Sequence, residues 1–422
     1  MARHRPQHLI GASPSGGGRR GTRGAIAVAL LALVGVGGAA VAQTRDDGAV
    51  EAATPSVTDS SPSTTTTTTT TPTTAPPRRQ ATIAFGGDVL IHSPVWQAAS
   101  TADGYDFSPM LAPIAPVLEG ADLAICHLEV TLAGSGDGLS SYPRFRAPAA
   151  LATDLAEAGF DGCSVASNHA LDFGEQGVVA TLDALDAAGL RHAGTARSPE
   201  EDQVPARYEA DGIQIAHLSY AYGFNGFTRP AGKEWLVDQI DPALILRDAV
   251  AARAAGAEVV IVSLHWGNEY AHDVTAAQQA VADALAASPG AVDLVVGSHA
   301  HVVQPISKVG SMWVVWGMGN LLSNNSPAGC CRDEVTDGVV VTVGIGDLDA
   351  PGGPVGVTSV AVTPTWNERA GFRVLPIAAT VADGTAPDLV ADLRSSYART
   401  LAQVLALGGT DLGIVADPPL PG

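Results

Sequence analysis

Positive charge is scarce in this 422-residue sequence, in which 23 lysines and arginines stand against 43 aspartates and glutamates, for a formal net charge of −20. Proteins that bind nucleic acid need clustered basic side chains to contact phosphates. After residue 42, the only run of basic residues is the pair Arg78-Arg79. The composition therefore argues against nucleic acid as a partner.

Cysteine is also rare, and none of the four cysteines belongs to a C-x-x-C motif. This excludes the usual thiolate metal and redox motifs. Cys126 and Cys163 fall in predicted buried strands, where we expect core thiols. Cys330 and Cys331 are adjacent in a loop rich in Gly, Pro and Asn, so a vicinal disulfide, separate bridges and free thiols all remain open.

Residues 1–42 contain five arginines and no acidic residue, and they end in an apolar run from Ala25 to Ala42. The final Ala40-Val41-Ala42 fits a signal peptide cleavage site, and the run is also long enough for an uncleaved signal anchor. Both alternatives place the chain from Gln43 onward outside the cytoplasm. We expect membrane attachment if this segment is uncleaved, and secretion if it is cleaved after Ala42.

Residues 43–79 are predicted to form a disordered stalk. The part from Ala53 to Pro77 is mostly Thr, Ser and Pro, including an unbroken run from Thr64 to Thr71, and offers almost nothing to bury. A single domain is predicted for residues 80–407. The Gly- and Pro-rich residues 408–422 are predicted to form a flexible tail.

Within the predicted domain, short apolar runs alternate with helical patterns, which is typical of an α/β fold. The predicted strands are Thr82–Gly86, Leu123–Cys126, Cys163–Ala166, Ile213–Leu218, Val259–Leu264, Leu294–Val296, Met312–Trp316, Gly338–Val343 and Val355–Thr363. The predicted helices are Ala149–Ala158, Glu175–Ala188, Pro242–Ala255, Ala276–Ala287 and Leu389–Leu407.

The stretch from Asp161 to Gly177 combines a buried strand, a polar turn and the start of a helix. Asn168, His169 and Asp172 occur together where the strand must end. Ligands bind at this end of the strands in open α/β sheets, so the turn is a candidate site. The alternative is an Asx-type turn that caps the following helix.

Polar side chains follow other predicted strands in the same way. The ends of these strands carry Asp88, Glu129, His265, the pair His299 and His301, and Asn320. Side chains two apart on an extended segment point the same way, which would bring both histidines of the pair to one site. Mixed oxygen and imidazole ligands favour Mn, Fe or Zn, and two such ions about 3.5–4 Å apart suit phosphoryl transfer.

The order of these motifs resembles the CapA family of capsule and poly-γ-glutamate biosynthesis proteins. The resemblance covers about Thr82 to Asn325. Its motifs are Gly87-Asp88, Leu128-Glu129, Phe145-Arg146-Ala147-Pro148, Asn168-His169 with Leu171-Asp172, His265-Trp266-Gly267 with Glu269-Tyr270, His299-Ala300-His301 and Gly319-Asn320. It implies an α/β fold of the calcineurin-like metallophosphatase type, a four-layer α/β/β/α sandwich with its site on loops at the strand ends.

The resemblance also implies roles for individual residues. His169 would stabilise charge on the phosphate or protonate the leaving oxygen, and Asp172 would hold the other ring nitrogen. The site would hold one or two divalent ions, and Glu129 would bridge them if two are bound. The implied metal ligands are Asp88, Glu129, Asn168, His265, His299 and His301.

Three positions depart from the family pattern. Leu90 replaces the histidine of the usual Asp-x-His motif, His127 stands where the family has asparagine, and Ser167 replaces another asparagine. Either His92 or His127 then completes a metal position, or the protein holds one ion and catalyses slowly or not at all.

Together, these features predict an exported CapA-like protein in the biosynthesis of capsule, poly-γ-glutamate or another cell-envelope polymer, with a metal-dependent phosphoesterase site. The alternative is a non-catalytic accessory or export subunit of a membrane polymer synthase. The expected partners are a phosphoester or envelope-polymer substrate and, in the second case, the synthase subunits.

Overall fold

A computed structural model describes residues 77–421. The predicted N-terminal segment 1–42 and most of the predicted stalk lie outside the described residues. The strands are β1 (Gln80–Leu90), β2 (Leu123–Leu128), β3 (Thr131–Leu132), β4 (Arg146–Ala147), β5 (Gly162–Ser164), β6 (Arg191–Ala193), β7 (Ala206–Ala210), β8 (Ile213–Ala221), β9 (Val259–His265), β10 (Leu294–Ser298), β11 (Ile306–Val309), β12 (Met312–Val315), β13 (Asn320–Ser323), β14 (Asp337–Asp347), β15 (Val355–Asn367), β16 (Val374–Pro376) and β17 (Val415–Ala416).

The helices occupy most of the connections between these strands. The α-helices are α1 (Ser93–Ala98), α2 (Ser108–Leu111), α3 (Ala115–Glu119), α4 (Ala150–Glu157), α5 (Gly174–Ala187), α6 (Pro199–Asp202), α7 (Pro242–Ala254), α8 (Ala276–Ala286), α9 (Ile377–Asp383) and α10 (Val390–Val404). Short 3-10 helices cover Glu234–Leu236, Asp333–Thr336 and Pro387–Leu389.

Two sheets form the centre of the domain. The first has the order β16-β15-β14-β1-β2-β5-β6, with β13 paired to β1 and β17 paired to β15, and the second has the order β11-β12-β10-β9-β8-β7. Neighbours β1, β2, β5 and β6 are parallel in the first sheet, as are β8, β9, β10 and β12 in the second. Parallel strands end at the same edge of a sheet, so each sheet gathers its strand-end loops at one side.

The buried side chains lie in three successive interfaces. Ile83 of the first sheet and Ile261 of the second belong to one cluster between the sheets. The other face of the first sheet packs against α1 to α5, with Leu182 buried there, and the other face of the second packs against α7 and α8, with Ile245 buried there. Burial of each such side chain stabilises the fold by about 1.5–3 kcal/mol. The predicted four-layer α/β/β/α sandwich is confirmed.

The predicted elements are all present, with ends shifted by a few residues. The predicted strand Thr82–Gly86 extends over Gln80–Leu90, and the predicted helix Glu175–Ala188 covers Gly174–Ala187. The elements that the prediction omitted are mostly short. A strand of two to four residues has too few positions to show an alternating pattern, which is why these were missed.

A glycine contact brings the end of β1 to its neighbours. A Cβ atom on Gly87 would lie 2.1 Å from the carbonyl oxygen of Gly319, and the adjacent Asp88 N–H donates to that oxygen at 3.0 Å. Only glycine allows the two backbones to approach this closely. The contact therefore places Asp88 beside the start of β13.

The cysteine prediction needs correction. Cys126 and Cys163 are buried, as expected, but they form a disulfide rather than remaining as thiols. The two residues are paired across the parallel strands β2 and β5, with Cα atoms 4.4 Å apart, which the sequence alone does not reveal. Cys330 and Cys331 form a vicinal disulfide, one of the alternatives left open.

The C-terminal residues contribute to the sheet. Val415 and Ala416 pair with β15, and the Leu420 N–H donates to the Tyr397 hydroxyl at 3.1 Å. Part of the predicted flexible tail is thus held by main-chain hydrogen bonds. Within residues 77–421, no helix combines the length and the apolarity that crossing a membrane requires.

Removing the Cys126–Cys163 disulfide should destabilise the domain. The bond links residues 37 apart in sequence and so restricts the unfolded chain. We expect the double substitution Cys126→Ala and Cys163→Ala to lower the free energy of unfolding by about 2–4 kcal/mol, measured by denaturant titration. Cys330→Ala with Cys331→Ala is the matched control, because that bond closes almost no loop. Equal losses in both variants would contradict the prediction.

Candidate metal centre

All six predicted metal ligands lie together at the ends of strands, where the two sheets meet. Each reaches this region from a different strand end, apart from the two histidines that follow β10. None of the six is more than 3% exposed. They are Asp88 in β1, Glu129 after β2, Asn168 after β5, His265 at the end of β9, and His299 and His301 after β10.

Glu129 is the centre of this cluster. Its side chain is 0% exposed, and neither carboxylate oxygen has a hydrogen-bond partner. The Nε2 atoms of His265 and His301 lie 3.6 and 3.7 Å from Oε1. A bare carboxylate in such a place is costly, whereas two donors bound to one ion at about 2.1 Å lie about 3.4 Å apart. The donor set and spacing therefore fit a divalent cation.

One group around Glu129 is formed with His127 and His265, and the ligand atoms of the three lie within 4.8 Å of one another. His127 Nε2 is 2.9 Å from His265 Nδ1, and its Nδ1 contacts the Ser164 hydroxyl at 2.8 Å. Asn168 Oδ1 lies 3.1 Å from His265 Nε2, at the border of this group. We call Glu129, His127, His265 and Asn168 the first donor group.

The second donor group consists of Glu129, His299 and His301, also within 4.8 Å of one another. His301 Nδ1 lies 3.0 Å from Asp88 Oδ2 and 3.1 Å from Asn320 Oδ1. These contacts leave His301 Nε2 facing Glu129. His299 Nδ1 is buried without a hydrogen-bond partner, a second donor atom that an ion would satisfy.

The two histidines after β10 reach the site by an unexpected backbone path. His299 has φ +91° and His301 has φ +56°, so both adopt the left-handed region rather than the predicted extended segment. Such conformations cost about 1–3 kcal/mol each in residues other than glycine, and they are concentrated at functional sites. The two histidines do lie at one site, as predicted, but they do not reach it from an extended segment.

Burial controls the charge state of the cluster. It lowers the pKa of His265 well below the usual range, and those of His127 and His299 to about 4 and about 3, so these imidazoles are neutral, as metal ligands must be. Burial also raises the pKa of Glu129 well above its usual range. For His301, burial lowers the pKa, but Glu129 and Asp88 outweigh it and raise the value to about 9.

His169 and Asp172 form a separate pair beside the donor groups. His169 Nδ1 lies 2.8 Å from Asp172 Oδ2, which also accepts the Phe145 N–H at 2.6 Å. The His169 ring packs edge-on against Phe145, with centroids 4.6 Å apart. Within residues 77–421, the one hydrogen-bonding group near its Nε2 is the Asn225 amide, at 3.4 Å. The geometry leaves Nε2 available to a bound molecule.

The sequence left His92 and His127 as alternatives and gave no prediction for Tyr222 and Asn225. Of the two histidines left open, the structure places His127 beside Glu129, whereas His92 packs against Phe145 outside both donor groups. Tyr222 lies over the cluster, with its ring centroid 4.7 Å from that of His299. Tyr222 and Asn225 belong to the Gly- and aromatic-rich loop directly after β8, and that position at a strand end was the available signal.

The fold and the site together define a class. Two sheets whose parallel strand ends gather imidazoles around one carboxylate form a four-layer α/β/β/α sandwich with a candidate site for divalent metal. The family model described as bacterial capsule synthesis protein PGA_cap matches residues 82–325, more than half of the chain. The chain therefore belongs to this family, and the predicted CapA resemblance is confirmed.

Individual relatives cover smaller parts of the chain. The PGA biosynthesis protein CapA of Bacillus subtilis is 29% identical over 175 residues, 40% of this chain and 44% of the relative. A "Probable polyglutamine synthesis accessory protein" of Mycobacterium tuberculosis is 25% identical over 219 residues, 48% of this chain and 56% of the relative. The chain thus spans about half the length of these curated relatives. The solved calcineurin-like phosphoesterase YfkN of Bacillus subtilis has a TM-score of 0.44 at 13% identity, over 76% of this chain and all of that one.

Glu129 belongs to both donor groups, so its substitution should affect metal binding most. We expect Mn²⁺ or Zn²⁺ to stabilise the wild-type domain by about 2.7 kcal/mol when free metal is 100 times Kd. Glu129→Gln should lose most of this gain, measured as the shift in melting temperature on adding metal. Glu258→Gln is the control, since that carboxylate pairs with Arg79 elsewhere. A full metal-dependent shift in Glu129→Gln would contradict the assignment.

Proposed function

We propose that this protein is a metal-dependent phosphoesterase that acts outside the cytoplasm in the production of capsule, poly-γ-glutamate or another cell-envelope polymer. The observation that carries the proposal is the buried Glu129 carboxylate, which has no hydrogen-bond partner and stands between two histidine groups. Family membership and the names of the Bacillus and Mycobacterium relatives support a role in polymer production.

The donor groups indicate how the chain would hold its ions. Glu129 would be shared by the two positions, with His127, Asn168 and His265 at the first and Asp88, His299 and His301 at the second. Mn, Fe and Zn all accept such mixed oxygen and imidazole ligands. When bound, two ions of this kind polarise a phosphoester oxygen and lower the pKa of water near it.

His169 protonates the leaving oxygen. Asp172 accepts the Nδ1–H of His169, which fixes the tautomer and the ring orientation. With the Nδ1–H donated to Asp172, Nε2 takes up a second proton, and the imidazolium then donates that proton to the leaving oxygen, a contribution of about 10²- to 10⁴-fold in rate. The Asn225 amide nitrogen lies 3.4 Å from this Nε2.

A second candidate function is that of an accessory subunit without catalysis. Leu90, 3% exposed, fills the position where the metallophosphatase motif places a histidine ligand, so this chain lacks that donor. The mycobacterial relative is named as an accessory protein in polyglutamine synthesis. Copurification with membrane synthase subunits, together with absence of turnover in the metal-loaded protein, would favour this function.

Two histidine substitutions separate metal binding from catalysis. His301→Ala should lower bound metal, because it removes a donor from the second group. His169→Ala should retain bound metal and lose phosphoester turnover by about 10²- to 10⁴-fold, because it removes only the proton donor. Metal content by elemental analysis, melting temperature and hydrolysis of 4-nitrophenyl phosphate are measured on wild type and both variants.

The same measurements test the proposed function. If the wild-type protein binds no metal after gentle purification and remetallation, the phosphoesterase proposal is wrong. If both variants lost only stability and retained turnover, the two histidines would be ordinary structural residues.

The location of the protein is tested at its N-terminus. The arginine-flanked apolar run Ala25 to Ala42 is proposed to export the domain and, if uncleaved, to tether it to the membrane. Cell fractionation with N-terminal sequencing should find the protein in the membrane fraction, or outside the cell with Gln43 as its first residue. A soluble cytoplasmic protein with an intact N-terminus would contradict both versions.

A further inference from the structure

Arg144 lies beside the His169–Asp172 pair, which adjoins the donor groups. Its Nε donates to the Asp172 carbonyl oxygen at 2.6 Å, and its Nη2 donates to the same oxygen. The next residue, Phe145, packs against the His169 ring and donates its N–H to the Asp172 carboxylate. The Arg144 guanidinium is therefore fixed to the segment that holds His169, while the residue itself is exposed.

The outward edge of this guanidinium is free. The contact with Asp172 uses Nε and one N–H of Nη2, so both N–H groups of Nη1 and the second N–H of Nη2 have no hydrogen-bond partner within the described part of the chain. None of the carboxylates in residues 77–421 forms an ion pair with Arg144. The Nη1–Nη2 edge is the one that takes carboxylate or phosphate oxygens in parallel.

Two aromatic rings hold the guanidinium in place. Its central carbon lies 4.5 Å from the Phe173 ring centroid and 5.4 Å from that of Phe227. Phe227 is 40% exposed and lies on the same loop as Asn225, whose amide faces His169. An arginine already ordered by hydrogen bonds and rings loses little side-chain entropy when it binds an anion.

Arg146, two residues further along the chain, is a useful comparison, because its guanidinium is paired within the protein. Its guanidinium lies over the same Phe173 ring at 3.9 Å, but it forms an ion pair with Asp137 at 3.2 Å and donates to the Gly138 carbonyl. In a chain with 43 acidic and 23 basic residues, acid partners are abundant. The two arginines thus differ in one respect, which is that only Arg144 presents an unpaired cationic edge to solvent.

We propose that Arg144 is a specificity-determining residue that binds a second anionic group of the substrate, a carboxylate or a phosphate remote from the reacting phosphoester. This inference rests on the proposed function, which places the reacting phosphate at the metal centre. The preferred substrate is then a phosphoester whose other part carries at least one further anionic group, as an acidic or phosphorylated precursor of an envelope polymer would.

Non-hydrolysable phosphonates of matched length test this assignment. Butylphosphonate, 4-phosphonobutyrate and propane-1,3-bisphosphonate carry a methyl, a carboxylate or a second phosphonate at the far end of a flexible chain. Their affinities for the Mn²⁺-loaded wild-type protein are measured by calorimetry. We expect one of the two probes that carry a second anionic group to bind about tenfold more tightly than butylphosphonate, the low end for a charge-assisted hydrogen bond at an exposed group. The better of the two identifies the second group as carboxylate or phosphate.

Variants connect this preference to Arg144. Arg144→Gln should remove the preference while binding butylphosphonate as the wild type does, and Arg144→Lys should keep part of it, because the charge remains without the planar fork. Arg146→Gln is the matched control and should keep the full preference. A wild type without preference or without phosphonate binding, a preference that survives in Arg144→Gln, or an equal weakening of all three probes in that variant overturns the proposal.

The binding assay is independent of turnover. If the phosphonates bind with the expected preference and phosphoesters are not hydrolysed, the phosphoesterase function fails while the recognition role of Arg144 stands. If phosphoesters are hydrolysed and the preference is absent, the function stands and the role of Arg144 fails.

Discussion

The Glu129 carboxylate sets the main constraint on this structure. A group with no exposure and no hydrogen bond would cost several kcal/mol if it were ionised and unpaired. Burial instead raises its pKa well above the usual range. The Nε2 atoms of His265 and His301 lie near enough to Oε1 of this carboxylate to share an ion with it but beyond hydrogen-bond distance. A divalent cation resolves this arrangement, and that is why the metal assignment rests on Glu129 more than on any other residue.

The two sheets bring residues that are far apart in the sequence to this carboxylate. The first sheet supplies Asp88, Glu129 and Asn168 from the ends of parallel strands, and the second supplies the histidines after β9 and β10. Close main-chain contacts at glycine and two left-handed histidines are the local costs of this convergence. The layers of helices and the core between the sheets offset those costs, because they stabilise the strands far from the site.

Around the buried centre lies a more open rim with different chemistry. Tyr222 covers the histidines, Asn225 contacts His169, and Phe227 packs on Arg144. Tyr222, Asn225 and Phe227 all come from the loop after β8. Under the proposed function these two regions would have different tasks. The buried groups would hold ions and move a proton, whereas the exposed groups would select which molecules approach.

The sequence by itself determined the α/β fold, the strand ends that carry polar residues and the order of the motifs, because period-two and helical patterns and strand-terminal polarity are local properties. Glu129 was identified as the shared carboxylate on family resemblance, and the structure places it between both donor groups. Only the tertiary structure decided the contacts between segments far apart in the chain. These are the Cys126–Cys163 bond, the choice of His127 over His92, and the left-handed path of His299 and His301. The physical reason is that each depends on the register and crossing of strands joined by long connections, which no local pattern encodes.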